Sequence, residues 1–203
     1  IHWNAIPIFA DIDPETFCLD IESVENNITH KTKAIMAVDI FGHSADMRAL
    51  LLLANKYNLK VISDTAQAPG AFYYGKYAGT LADIGVFSLN YHKHIHTGEG
   101  GVIVTNNDDL AEKCLLIRNH GENIVEAKGV KNLTNTYGFN YRMTEIEATI
   151  GVEQLKKLPA LIDHRIENAN YLTNGFSQIP FLIPPKIEER NKHVYYVQAL
   201  KFN

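Results

Sequence analysis

The amino-acid sequence predicts an α/β fold, a mainly parallel sheet with helices on both faces. Two observations predict it. Short apolar runs of strand length alternate with segments of helical period along most of the chain, the signature of βαβ units. The composition allows a core for them: 203 residues, 46% hydrophobic and 21% charged, exclude a disordered chain, and 13 glycines with 7 prolines exclude a collagen-like one. A chain of this length buries roughly 70–75% of its unfolded surface without staples.

Taken in order, residues 7–10 and 34–40 read as strands and residues 46–57 as a leucine-rich helix. Strands follow at 60–63, 84–89 and 101–105. Asn106 or Asn107 is suited to cap a helix running to about Arg118, ended by Asn119, His120 and Gly121. Residues 122–137 lack periodicity and read as a long loop. Thr144 and Glu147 form a T-x-x-E capping box ahead of a helical stripe of Ile146, Ile150, Leu155 and Leu158. Pro159 either begins a second helix or kinks the first. Beyond about Asn174 the character changes to a Pro-bounded segment (181–185), a polar turn (188–192) and a terminal strand (194–202). A domain boundary is expected near residues 158–163. Ile1 is not a start methionine and the last strand stops without a capping element, so the chain is expected to be a piece of something longer.

The net charge of −4, with no Lys/Arg cluster, argues against a nucleic-acid partner. Cys18 and Cys114 cannot make a disulfide framework and read as small core side chains in a reducing compartment. The longest apolar run, residues 50–54, is far short of a membrane span, and no signal-peptide pattern is present. These features predict a cytoplasmic chain with no membrane association.

In open α/β sheets ligands sit outside the carboxyl ends of the strands. Asp64 ends one strand and is followed by Thr65, Ala66 and Gln67; taken alone, such an aspartate is most often a turn former or helix cap. Lys93 follows another strand, five residues after Ser88 and shortly before Gly98, Gly100 and Gly101, whose backbone is free to turn tightly near a ligand. His92, His94 and His96 alternate around it. On an extended segment they would share a face, a possible metal arrangement, but no carboxylate or thiolate accompanies them, and satisfied or solvated histidines are the expectation.

These segments together resemble the DegT/DnrJ family of pyridoxal-phosphate-dependent nucleotide-sugar aminotransferases. The resemblance runs in order through Val61-Ile-Ser-Asp-Thr-Ala-Gln-Ala-Pro-Gly-Ala71, Tyr74-Gly-Lys-Tyr-Ala-Gly-Thr80, Asp83-Ile-Gly-Val-Phe-Ser88, Lys93 with Gly98-Glu-Gly-Gly101, Ile117-Arg-Asn-His-Gly121 and Gly138-Phe-Asn-Tyr-Arg-Met-Thr-Glu-Ile-Glu-Ala148. It implies a fold-type-I pyridoxal-phosphate transferase large domain over residues 1–158, with residues 159–203 forming a linking helix and the beginning of a small α+β domain.

The resemblance also implies roles. Lys93 would carry pyridoxal 5′-phosphate covalently and later shuttle a proton, which requires an amine with an ordinary pKa of about 10.4 to give up its proton. Asp64 would pair with the pyridinium nitrogen, Gln67 would contact the phenolic oxygen and Ser88 would donate to the phosphate. Asn140 would reach the phosphate of the neighbouring subunit, which implies a homodimer. The implied reaction moves an amino group from an amino-acid donor, glutamate by expectation, onto a nucleotide-linked keto-deoxysugar in surface polysaccharide or glycoconjugate synthesis. The alternatives are the family's sugar 3-dehydratase branch, in which a histidine replaces the lysine, and an inert fragment or binding protein that keeps the fold. Counting back from Glu99 places the family position on Lys93, which favours the aminotransferase. Asn90 departs from the histidine many members carry there. The family's N-terminal segment, with its Gly-Thr phosphate turn and an aromatic that stacks on the pyridine, has no counterpart in this sequence.

Overall fold

A computed structural model describes residues 4–121 and 137–203. Its elements are α1 (Ile21–Asn26), β1 (Ala34–Val38), α2 (Met47–Tyr57), β2 (Lys60–Asp64), β3 (Phe72–Tyr73), β4 (Lys76–Tyr77), β5 (Ile84–Ser88), β6 (Gly101–Val104), α3 (Asp108–Arg118), α4 (Glu145–Phe176), β7 (Leu182–Ile183), β8 (Asn191–Lys192) and β9 (Lys201–Phe202). The main sheet has the order β1-β2-β5-β6. β1, β2 and β5 run parallel, with Val38 opposite Asp64 and Asp64 opposite Val86; β6 returns antiparallel, with Gly101 opposite Ser88. The carboxyl ends of three neighbouring strands therefore open on one edge.

The expected helix over residues 46–57 forms because Asp46 caps it, accepting the Ala49 amide at 3.0 Å, and because Asn58 takes the left-handed conformation that ends it. It buries Met47, Leu50, Leu53 and Ala54 against Ile35, Ala37 and Val61 of the sheet. Each such aliphatic side chain removed from water contributes about 1.5–3 kcal/mol. Met36, on the other face of β1, is 59% exposed. Asn107 caps α3 by accepting the Leu110 amide at 3.0 Å, which settles the choice between Asn106 and Asn107.

The capping box forms as the spacing predicts: the Thr144 hydroxyl accepts the Glu147 amide while Glu147 accepts the Thr144 amide. The helix it starts runs unbroken through Pro159. Proline removes one donor, the partner of the Leu155 carbonyl, and Leu155 lies on an exposed face where water can take its place. The boundary expected near residues 158–163 thus falls inside one helix. Leu158 and Ile162 of α4 join Ala68, Ala71, Ala78, Leu89, Ile95 and Val194 in a second core cluster.

Two expected strands and one expected turn differ. Residues 7–10 have no ladder partner among the described residues, and Ile8 and Phe9 are exposed; apolar character alone does not make a strand. In the stretch 194–202 only Lys201–Phe202 pairs, with β7. Its first residues spend their amides elsewhere, Val194 N–H donating to Gly42 O and Val197 N–H to Phe41 O. Within the expected polar turn, Asn191–Lys192 adds to β3. The long loop expected at 122–137 lies, but for Tyr137, outside the described residues. Among the described residues no helix is long and apolar enough to cross a membrane.

Candidate active site

Asp64 is the last residue of β2 and Ser88 the last of β5, so the parallel register brings both to the carboxyl edge of the sheet. Asp64 is half-buried, and its Oδ1 accepts the Ala66 amide at 3.1 Å. The turn-forming role of a strand-end aspartate is therefore real, and it leaves the second carboxylate oxygen outside that bond. Ser88 Oγ accepts the Asn90 amide at 3.3 Å, which leaves its O–H to donate to a ligand. Gln67 sits in the turn after β2. Its Oε1 accepts the Phe41 amide at 2.8 Å, which fixes the side-chain flip and turns the NH2 group to other partners.

Lys93 lies in a series of turns whose ends are tied together. Leu89 N–H donates to Gly100 O at 2.8 Å, Thr97 N–H to Leu89 O at 2.9 Å, and Lys93 N–H to Asn90 O at 2.9 Å. Asn90 Nδ2 donates to Glu99 Oε1 at 2.9 Å. The residue that departs from the family pattern thus clasps the loop. The Lys93 ammonium lies 4.8 Å from the centroid of the Tyr196 ring and makes no ion pair among the described residues.

The histidine alternation does not form a common face, because residues 90–97 are turns and not extended backbone. His92 and His96 are exposed, with the His92 ring 3.8 Å from that of Tyr91. His94 is buried, its Nε2 3.0 Å from Val194 O. Burial holds the His94 pKa below the usual imidazole value, and the nearby Arg165 and Lys93 charges push the same way. Asn140 is exposed, forms a bridge with Asn119, and shares no hydrogen bond with the other four candidates.

Two residues that sequence reasoning missed help shape this edge. Asp39 follows β1 as Asp64 ends β2, but the strand expected over 34–40 placed it inside the run and hid it from the strand-end rule. Tyr196 had no local signal: it reaches Lys93 because Gly42, at φ +105°, lets the backbone of residues 194–196 close on it. A Cβ on Gly42 would lie 2.7 Å from Tyr195 N and 2.9 Å from Tyr196 N. Arg165 Nη1 donates to the Tyr195 and Tyr196 carbonyls at 3.2 and 3.4 Å and holds that segment from the other side.

A sheet whose parallel strands bring a carboxylate and a hydroxyl to one edge, with an amine on the loop that follows, is that of an α/β domain. The chain belongs to the DegT/DnrJ/EryC1/StrS aminotransferase family, whose model matches residues 1–203. It is 38% identical to GDP-perosamine synthase of Escherichia coli O157:H7 over 195 residues, covering 96% of this chain and 51% of that protein. The aminotransferase from Psychrobacter cryohalolentis superposes with a TM-score of 0.89 at 34% identity, over 95% of this chain and 52% of that one. E. coli GDP-4-keto-6-deoxy-D-mannose-3-dehydratase, solved with hydrated PLP, gives a TM-score of 0.81 at 32% identity, over 93% of this chain and 51% of that one. The chain spans about half the length of the curated relatives it matches.

Proposed function

We propose that the protein of which this chain is part is a pyridoxal-phosphate-dependent aminotransferase that moves an amino group, from glutamate, onto a nucleotide-linked keto-deoxysugar. The observation that carries this reading is the convergence of Asp64, Ser88 and the Lys93 loop on one sheet edge. The donor set suits the cofactor: an amine for its aldehyde, a carboxylate for its ring nitrogen, an amide for its phenolic oxygen and a hydroxyl for its phosphate. When bound, pyridoxal phosphate supplies an electron sink for amino transfer. Lys93 binds it and then holds or returns a proton at Nζ; Asp64 stabilises positive charge at the ring nitrogen; Gln67 and Ser88 orient the ring and its phosphate. The named relatives, a synthase and a dehydratase of GDP-linked sugars, support the substrate class. A role in surface polysaccharide or glycoconjugate synthesis follows from that class.

The working form is a cytoplasmic homodimer in which Asn140, exposed and not hydrogen-bonded to the other four residues, completes the partner's site. Its two cysteines, both free, suit a reducing compartment. Residues 1–158 act as the cofactor domain and 159–203 as the linking helix and start of the small domain.

The test is reconstitution with pyridoxal phosphate, borohydride reduction and peptide mapping, followed by a panel of nucleotide keto-sugars with glutamate. A visible band and a pyridoxyl adduct on Lys93, both lost in Lys93→Ala, are expected. A chain that gains neither is not a lysine-dependent transferase. Release of a deoxygenated and not an aminated sugar would favour the dehydratase chemistry instead.

A further inference from the structure

Asp39, just beyond β1, has 0% exposure, and the proposed chemistry gives it no task. Taking a carboxylate out of water is costly unless donors surround it. Here Oδ1 accepts the Ala45 amide at 2.9 Å, while Oδ2 accepts Ser63 Oγ at 3.0 Å and Thr65 Oγ1 at 2.7 Å. The Asp39 amide itself donates to Asp64 O at 2.9 Å.

The two hydroxyls belong to the residues on either side of Asp64. Side chains alternate along a strand, so Ser63 and Thr65 point away from Asp64, and whatever grips both fixes the direction in which Asp64 leaves the backbone. Ser63 and Thr65 also lie within 3.1 Å of each other through their hydroxyl oxygens, which closes a three-membered cluster around Asp39 Oδ2. The clamp has little slack. Gly79 packs so closely that a Cβ there would lie 2.7 Å from Thr65 Oγ1, and Thr65 N–H donates to Val86 O of the next strand at 2.8 Å. Burial pushes the Asp39 carboxyl above its ordinary range, the neighbouring Asp64 charge adds to that, and the three donors oppose it. A buried carboxylate is an expensive way to fill space, and a group kept at that cost beside a second carboxylate has a directional use.

We propose that Asp39 is a positioning residue for the reaction, aiming the Asp64 carboxylate at the cofactor's ring nitrogen through the Ser63 and Thr65 hydroxyls. This rests on the reading that Asp64 meets that nitrogen. A displacement of an ångström at such a carboxylate is enough to weaken the charge pairing it makes.

The experiment follows the visible band of the pyridoxal-phosphate-loaded chain against pH in the wild type, Asp39→Ala, Asp39→Asn and Thr65→Val, with Leu50→Ala as a control. Leu50, on the buried face of α2, is fully enclosed in the core, so its truncation lowers the melting temperature without touching the clamp. In Asp39→Ala the band's pH midpoint is expected to move by about one unit and cofactor retention on dilution to weaken roughly tenfold. The Lys93 adduct is still trapped. Asp39→Asn, which keeps an acceptor, recovers part of the shift, Thr65→Val shows a smaller shift of the same sign, and Leu50→Ala shows none. An unmoved midpoint in Asp39→Ala overturns the proposal while leaving Lys93 in place. If Asp39→Ala does not fold, an unmoved midpoint in Thr65→Val does the same. A wild-type chain with no band and no adduct sinks the underlying reading of the site, and this proposal with it.

Discussion

Acid should unfasten the segment that carries Tyr196 before it harms the rest of the fold. His43, His94 and His193 are all buried, and burial depresses the pKa of each below the ordinary imidazole value. The largest effect is on His193, lowered from 6.5 to about 3 chiefly by burial, with the neighbouring His43 and His94 adding to it. Its Nδ1 accepts the Tyr195 amide at 2.9 Å, so a proton there would set two donors face to face. The unfolded chain binds more protons than the folded one between the two pKa values. Stability is therefore complete above about pH 6.5 and is lost as the pH falls toward 3. At pH 5 the term from His193 alone amounts to about 2 kcal/mol, a sizeable part of a domain's typical 5–15 kcal/mol. Asp39 works in the opposite sense, its raised pKa adding stability as acid is added. The histidine contribution is isolated by comparing the wild type with His193→Asn, whose Oδ1 keeps an acceptor for the Tyr195 amide. Urea unfolding at pH 7.5 and pH 5 should show the wild type losing about 2 kcal/mol more than the variant. Parallel losses would refute the reasoning.

Gly42→Ala should cost roughly 2–4 kcal/mol by thermal unfolding, because the strained φ and two close backbone nitrogens leave the new methyl no room; a neutral result would show that residues 194–196 do not close on Gly42. Thr144→Ala removes the capping-box hydroxyl and should lower stability by about 1 kcal/mol, read from the urea midpoint, with the helical signal otherwise intact. Burial pushes the Cys18 thiol up to about 12, so in the native chain at pH 8 a thiol reagent should label the partly exposed Cys114 well before Cys18. Equal labelling rates, measured by mass spectrometry, would contradict the buried environment of Cys18.

The elements whose signals are local were legible in the sequence: the helix beginning about Asp46, a cap for α3 at Asn106 or Asn107, the Thr144–Glu147 box, and β2 and β5 from their apolar runs. Asp64 and Ser88 could be placed at one edge because parallel strands present their carboxyl ends together. Features that depend on distant partners were not legible. Residues 7–10 carry a strand-like pattern with nothing to pair with, and the histidine alternation assumed extended backbone where the Asn90–Glu99 clasp imposes turns. Pro159 was expected to begin a second helix or kink the first because its lost donor was weighed locally, whereas α4 runs through it and packs Leu158 and Ile162 on either side into one cluster. Tyr196 reached Lys93 through a glycine at position 42 that no pattern links to either.

The closure of residues 191–196 on the sheet edge also bears on when the site comes into being. Its bonds are among the most distant in the chain: His94 to Val194 across 100 positions, Tyr74 to Asn191 across 117. Contacts of that span form late, since the entropy of closing so long a loop is lost before any contact repays it. The sheet, built from neighbours in sequence, can assemble first with its carboxyl edge bare. On a ribosome, Lys93 and Asp64 would be folded into place while Tyr196 was still unsynthesised, so the ring that lies beside the Lys93 amine arrives as a late and separate event in the life of the chain.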